Sequence, residues 1–294
     1  MILITGANGF VGNALVHQMV GMFGVDQVIA YTSRPLDGIQ CILHRGYCTE
    51  SFDFLGSGYG DIQTIIHVGA ATPKSNSEAN QKEVFDKNIE TTTNLVNARL
   101  PKLKKFIFIS TLDVYGQGGL ICESSTLNPS SEYGVSKLKC EKIVHEHFRS
   151  TGIISQVLRL GHVYGPGEEQ YKKLIPEVMR KILQNESLQI WGTGNELRAF
   201  IYIQDVVNCI LAAFYLDKSI DAVNIAGAQQ IRVKNLVDLI LTISGSDTKV
   251  SISGEPGRDV IFDCTMRQEL LLAKETPLQE GLLREWQYMK NLQW

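Results

Sequence analysis

Residues 1–12 read MILITGANGFVG, and the fold turns on how this stretch is read. Ile2, Leu3 and Ile4 form a short run that is apolar on both faces, as expected of a strand inside a covered parallel sheet. Gly6, Gly9 and Gly12 follow, three apart, and then an apolar series through Leu15 and Met19 at helical spacing. Strand, glycine turn and helix bring backbone N–H groups and a helix N-terminus to one point, which suits a diphosphate. Taken alone, the stretch is equally compatible with glycines that merely permit tight turns. Met1–Thr5 lacks the basic leader and long apolar run of a secretory signal.

The composition narrows the classes. A chain of 294 residues buries a substantial core, in one large domain or two joined ones. Its net charge of −3 argues against nucleic acid or an anionic membrane as the main partner. The longest apolar runs, near Ile65 and Ile210, fall well short of a membrane span. Cys41, Cys48, Cys122, Cys140, Cys209 and Cys264 contain no CxxC pair, and read as reduced, mostly buried thiols of a cytoplasmic protein. Cys41, His44 and Cys48 lie close together, but a fourth ligand is missing nearby, so no metal is expected.

Farther along, strands alternate with helices. QVIAYTS, CILHR and TIIHVGAA read as further strands, and KEVFDKNIETTTNLVNARL as a helix. KKFIFIST and ISQVLRLGHVYG read as two more strands with the helix SKLKCEKIVHEHF between them. This order implies an α/β fold, a doubly wound parallel sheet with helices on both faces. After YGPG at 164–167 the pattern loosens. The expected division is a nucleotide-binding domain over 1–167, to which 200–225 returns, and a smaller mixed cap built mainly from 168–294.

The chemistry lies beyond the carboxyl ends of the strands, where ligands of such sheets bind. STLDVYG begins where the KKFIFIS strand ends, and YGVSK places Tyr133 and Lys137 four apart on one face of a helix start. A phenol is a poor acid–base group at neutral pH. A fixed ammonium beside it, with a cationic nicotinamide ring nearby, favours the phenolate. The competing reading is a surface tyrosine packed on a lysine stem.

TGANGFVG, HVGAAT, ISTLDVYG, YGVSK, RLGHVYGPG, WGTGNELRAFIYIQD and VNIAG follow one another as in the extended short-chain dehydrogenase/reductase family, whose large domain is of the Rossmann type. More narrowly, the chain resembles the nucleotide-sugar epimerases, dehydratases and 4-ketoreductases, from Met1 to about Gly281, with PLQEGL similar to the family's closing helix. The resemblance implies that Thr111 hydrogen-bonds the reacting sugar oxygen, Tyr133 transfers the proton and Lys137 holds the nicotinamide ribose. It puts Gly6, Gly9 and Gly12 against the pyrophosphate, with Asn8, Phe10 and Val11 completing the turn. Ala70 and Ala71 are implied on the adenine–ribose side, and Asn88 as support from its helix. Arg198 matches the arginine that clamps the nucleotide's phosphates, a task suited to a planar fork. Arg258 in GEPGRDV is a second clamp candidate, although it follows the Pro-Gly instead of preceding it. The family also commonly pairs the helices over Val84–Val96 and Leu138–Phe148 across a two-fold axis. Here both carry more apolar positions than one covered face needs, so a homodimer is expected.

Departures from the family pattern sharpen the reading. Dehydratases follow the threonine with an Asp–Glu pair; here the positions are Leu112 and Asp113. Water elimination needs the lost acid to protonate the leaving hydroxyl, so a dehydratase is not expected. His162 stands where many relatives have asparagine, as a substrate contact or an ordinary packed histidine. The second strand ends YTSRP, with no acid before Asp37. Ser33 and Arg34 offer a hydroxyl and a cation, which suit the 2′-phosphate of NADP(H) better than NAD(H); a solvent-facing loop arginine is the alternative. An epimerase keeps one NAD through its cycle, whereas a reductase consumes reduced coenzyme. The expectation is therefore reduction of a 4-keto-6-deoxy nucleotide sugar, with a 4-epimerase as the alternative. A coenzyme sensor without turnover would have no need of the Thr-Tyr-Lys set.

Overall fold

The computed structural model describes residues 1–44, 52, 54–75, 78–116, 118–272 and 274–292. β1 (Ile2–Thr5) passes through the glycine turn into α1 (Phe10–Phe23), and β2 (Val28–Thr32) and β3 (Gln40–Leu43) extend the sheet to one side. The chain then returns through α2 (Phe54–Gly58) to β4 (Thr64–His67) on the other side of β1. α3 (Lys82–Val96), β5 (Lys105–Thr111), α4 (Glu132–Phe148) and β7 (Ile154–Leu160) continue in that direction, separated by the short β6 (Gly119–Ile121). Finally β11 (Ile220–Ile225) closes the sheet, giving the order β3-β2-β1-β4-β5-β7-β11, all parallel. The reversal of direction at β1 opens a crevice at the carboxyl ends of β1 and β4.

Alternation along each strand divides the core into two layers. Ile2, Ile4, Ile66, Ile107 and Leu158 face Leu15, Val16 and Met19 of α1 together with Val206, Val207 and Ile210 of a later helix, α6 (Ile203–Tyr215). Leu3, Ile65, Phe106, Phe108 and Val157 point the other way, toward Leu95 and Val96 of α3 and Cys140, Val144 and Phe148 of α4. This is the doubly wound parallel sheet read from the sequence.

One expected strand is two. ISQVLRLGHVYG breaks at Gly161 into β7 and β8 (His162–Tyr164), and β8 leaves the main sheet to pair with β10 (Leu197–Tyr202). A side chain at Gly161 would meet Leu112 Cδ1 at 2.9 Å and Ala226 Cβ at 3.2 Å, so the break sits where three segments cross. The helix expected over 82–100 ends at Val96. A second sheet runs β12 (Gln230–Arg232), β10, β14 (Val260–Phe262), β6, and β9 (Leu188–Trp191) pairs in parallel with β13 (Val250–Ser253). α5 (Leu174–Leu183), α7 (Val233–Ser244) and, after the short α8 (Thr265–Leu270), α9 (Leu278–Met289) pack together through Ile175, Met179, Val237, Ile240, Leu282 and Trp286. Among the described residues, no helix is long and apolar enough to cross a membrane.

Candidate active site

A cleft of about 1180 Å³ runs along the carboxyl ends of the central strands and under the second sheet. Its floor is the glycine turn. Gly6 has φ +68°, and a Cβ there would lie 2.5 Å from Gly69 Cα; at Gly12 it would lie 2.1 Å from Gly6 O. Both glycines are required for the turn and the helix to approach so closely. Gly9 differs: its φ is −80°, and an added Cβ would meet only Gly6 O, at 3.3 Å. No side chain caps α1, so its first N–H groups open toward the cleft beside Gly9, Phe10, Val11 and Gly12. This cradle, with its close-packed glycines and exposed N-terminus, fits the diphosphate of a dinucleotide coenzyme.

At the end of β2, Ser33 and Arg34 line the cleft and are exposed. With its amide oxygen turned toward Arg34, Asn8 accepts from Nε at 2.8 Å and from Nη2 at 2.9 Å. The glycine turn thus holds the guanidinium at the mouth of the cleft, and the nearest following acid, Asp37, is not among the lining residues. His44 stacks on Tyr31 at 4.5 Å in the same wall. Cys41 is engaged locally, donating to Ile39 O at 3.3 Å; Cys48 lies outside the described residues.

After β4, Ala70 and Ala71 line the cleft. Asn88 does not line it. Buried on α3, it accepts from Ala71 N at 2.7 Å and donates to Ala71 O at 3.1 Å, fixing the loop from behind. A second buried chain, which sequence reasoning missed, joins the same elements. Gly69 N donates to Thr5 Oγ1 at 3.0 Å, Thr5 Oγ1 lies 2.7 Å from His67 Nδ1, and His67 Nε2 lies 3.1 Å from Thr92 Oγ1. Since the Thr92 hydroxyl donates to Asn88 O at 2.8 Å, it accepts from Nε2–H, which assigns the tautomer. Burial, with Lys137 nearby, holds His67 down to about 3, so the imidazole is neutral. Thr5 and His67 sit inside quoted motifs, but nothing local marks them as partners.

Thr111 ends β5, and its Oγ1 accepts from Asp113 N at 3.2 Å, closing a 3₁₀ turn over Leu112–Val114. α4 starts at Glu132, where Ser131 Oγ accepts from Gly134 N at 3.1 Å. This cap sets Tyr133 and Lys137 one turn apart, and both line the cleft with Thr111. Tyr133 packs on Phe85 with ring centroids 5.4 Å apart. Lys137 donates to Ile109 O at 2.6 Å and lies 4.2 Å from the centre of the Phe108 ring. Burial pulls its ammonium down to about 8, against the opposing influence of Cys140 and Glu141. Behind it, Glu141 takes a two-pronged bond from Arg159, at 3.0 and 2.7 Å, and accepts from Ser110 Oγ at 2.5 Å.

The far wall carries His162, Arg198 and Arg258. His162 opens on the cleft but is enclosed by its walls; this setting, with Lys173 and Arg198 nearby, lowers it and keeps the ring neutral at physiological pH. Half-buried Arg198 donates from Nη1 to Leu197 O at 2.8 Å and to Arg258 O at 2.6 Å. Among the described residues, neither arginine has a carboxylate within ion-pair distance. Lys173, not singled out from the sequence, also lines the cleft, with its ammonium 3.5 Å from buried Glu168.

Three comparisons bear on this cleft. A protein of Bacillus subtilis (strain 168) described as an uncharacterized UDP-glucose epimerase, YtcB, is 31% identical over 99% of this chain and 98% of its own. A dTDP-4-dehydro-6-deoxy-D-allose reductase of Streptomyces bikiniensis is 26% identical over 96% of this chain and 93% of its own. The solved UDP-glucuronic acid 4-epimerase from Bacillus cereus in complex with NAD is 26% identical, covers 98% of both chains and superposes with a TM-score of 0.85. The sequence profile of the NAD dependent epimerase/dehydratase family matches residues 2–226, about three-quarters of the length, and the chain belongs to that family.

Proposed function

We propose that the chain reduces a 4-keto nucleotide sugar at C4, with Tyr133 as the proton donor, and that it draws on NADPH. The observation that carries the coenzyme half is the guanidinium of Arg34, tied to Asn8 in the glycine turn with Ser33 beside it and, among the described residues, no acid lining the cleft at the end of β2. That setting supports a 2′-phosphate over a free ribose diol. A nicotinamide coenzyme bound in the cleft supplies the hydride. Thr111 hydrogen-bonds the sugar C4 oxygen, and Tyr133 delivers its phenolic proton there as the carbon is reduced. The Lys137 ammonium stabilises the phenolate left behind, and its bond to Ile109 O holds it to the ribose side. Arg198 and Arg258 take the substrate diphosphate, His162 contacts the sugar as a neutral imidazole, and residues beyond 168 form most of the cap.

A second reading is a 4-epimerase with a retained NAD. It is favoured by the Bacillus cereus 4-epimerase, a structure in complex with NAD that matches nearly the whole chain. Thr111, Tyr133 and Lys137 serve both reactions equally. The test is to incubate wild type and Tyr133→Phe with NADPH or NADH and a panel of nucleotide sugars that includes 4-keto-6-deoxy forms. Stoichiometric NADPH consumption with one of them, absent in Tyr133→Phe, is expected. In parallel, Arg34→Ala should weaken NADP about ten- to a hundredfold, the range for one lost charge-assisted bond, and leave NAD unchanged. Interconversion of 4-epimers without coenzyme consumption, with an unchanged NADP/NAD ratio in Arg34→Ala, establishes the epimerase instead. Coenzyme binding with no turnover of any kind leaves the sensor reading.

A further inference from the structure

Resting on the reading of Arg198 and Arg258 as the diphosphate clamp, we propose that Glu196, which does not line the cleft, is the positioning residue that sets both arginines for the nucleotide. Glu196 precedes β10 and is 5% exposed. Its Oε1 accepts three hydrogen bonds: from Thr193 N at 2.9 Å, Thr193 Oγ1 at 3.0 Å and Gly257 N at 2.9 Å. Two of these fold the loop 192–196 back on itself. The third reaches across to the loop that carries Arg258.

Successive residues extend this stitch. Leu197 N donates to Asp259 Oδ1 at 2.8 Å, and Arg198 Nη1 donates to Arg258 O at 2.6 Å. Positions 196, 197 and 198 are thereby tied to 257, 259 and 258, and Gly192 N donates to Ser253 O at 2.9 Å at the outer end. The backbone leaves no slack around the carboxylate. A Cβ at Gly192, where φ is +99°, would fall 2.7 Å from Glu196 Oε1, and one at Gly257 would fall 3.2 Å from its Cγ. A buried acid ordinarily requires a cation partner, yet no lysine or arginine lies within ion-pair distance of this one among the described residues. Loop N–H groups compensate its charge at Oε1 instead, those of Thr193 and then Gly257 foremost, and hold it below the usual carboxylate range, while Oε2 is buried with no hydrogen-bond partner among the described residues.

The guanidinium groups are therefore spared. Arg198 keeps Nε and Nη2 free of any described hydrogen bond, and Arg258 makes none with its side chain. Two neighbouring cations with no carboxylate in ion-pair contact among the described residues repel each other, Glu196 and Asp259 acting on Arg198 only from a distance, and loops rich in glycine would let them separate. Glu196 supplies the restraint, binding the two loops together through N–H groups while leaving the positive charge for an incoming diphosphate.

The test is made on the full chain with UDP and dTDP as probes, and with NAD and NADP binding measured alongside by calorimetry. Glu196→Ala should weaken the better-bound diphosphate by about tenfold or more, with coenzyme affinities within about twofold. In turnover, KM for the nucleotide sugar should rise while kcat at saturation changes little. Glu196→Gln keeps an oxygen for the same three donors and should recover most of the affinity. Where Glu196→Ala fails to fold, Glu196→Asp, which withdraws the acceptor by one methylene, should show the same selective loss. Unchanged diphosphate binding in the variant that folds overturns the proposal. So does an equal loss of coenzyme, which marks a general structural role. Wild type that binds coenzyme but neither diphosphate refutes the clamp itself, and Glu196 with it.

Discussion

Lys137 is 2% exposed, and burial brings its ammonium down to about 8 from an ordinary 10.5. Its effects on chemistry and on stability run in opposite directions with pH. Below about 8 the group is charged in both the folded and unfolded chains, and the folded state bears the cost of a buried cation. Between about 8 and 10.5 the unfolded chain holds a proton that the folded one lacks, so stability rises with pH across that window. In the proposed reaction, the ammonium that would stabilise the tyrosine phenolate is lost over the same interval. In the coenzyme-free protein, urea unfolding from pH 7 to 10 should therefore show wild type gaining on Lys137→Met above pH 8. Turnover by wild type should fall over the same range. A stability difference independent of pH would mean that Lys137 is not depressed, and its bond to Ile109 O would then be purely structural.

The strand–turn–helix element at the N-terminus was legible because each of its signals is local: an apolar strand, glycines three apart, and a helix at once. The same holds for α4, whose Ser131 cap and Tyr133–Lys137 spacing lie within one short stretch. What joins distant segments was not legible. The tie from Asn8 to Arg34, the chain through Thr5, His67 and Thr92, and the Glu141–Arg159 pair each link residues whose partners no spacing rule supplies. ISQVLRLGHVYG kept its strand periodicity through Gly161, and only Leu112 and Ala226 crossing there account for the break. Structure also separates glycines that looked alike in the sequence. Gly12→Ala would set a methyl 2.1 Å from Gly6 O and should destabilise the fold by about 1–3 kcal/mol or more. Gly9→Ala meets one atom at 3.3 Å with ordinary dihedrals, so its melting temperature should stay near wild type while NAD and NADP both bind more weakly. Thermal melts and coenzyme titrations of the two variants check this; normal coenzyme binding by Gly9→Ala would remove that residue from the pyrophosphate.

At the scale of the molecule, the two faces of the main sheet are finished differently. One is covered by α1 and α6 and continues into the packed group of α5, α7 and α9. The other is covered chiefly by α3 and α4, which lie against each other and form its outer layer. Their inward residues are buried, but Val84 is 38% exposed, and Ile89, Val135 and Ile143 are covered only in part. A second copy laid across this pair by a two-fold axis would bury those side chains without touching the cleft, which opens at the strand ends. A homodimer through α3 and α4 is the assembly this favours. Sedimentation at micromolar concentration should give a species of twice the 32.7 kDa chain mass, and Val84→Glu, by placing a charge in that face on both copies, should shift it toward the monomer. The monomeric variant should still bind coenzyme, because Val84 is not among the residues that line the cleft. Wild type sedimenting as a monomer would make the α3–α4 face an ordinary surface, its half-covered side chains part of the exposed apolar area that every folded chain retains.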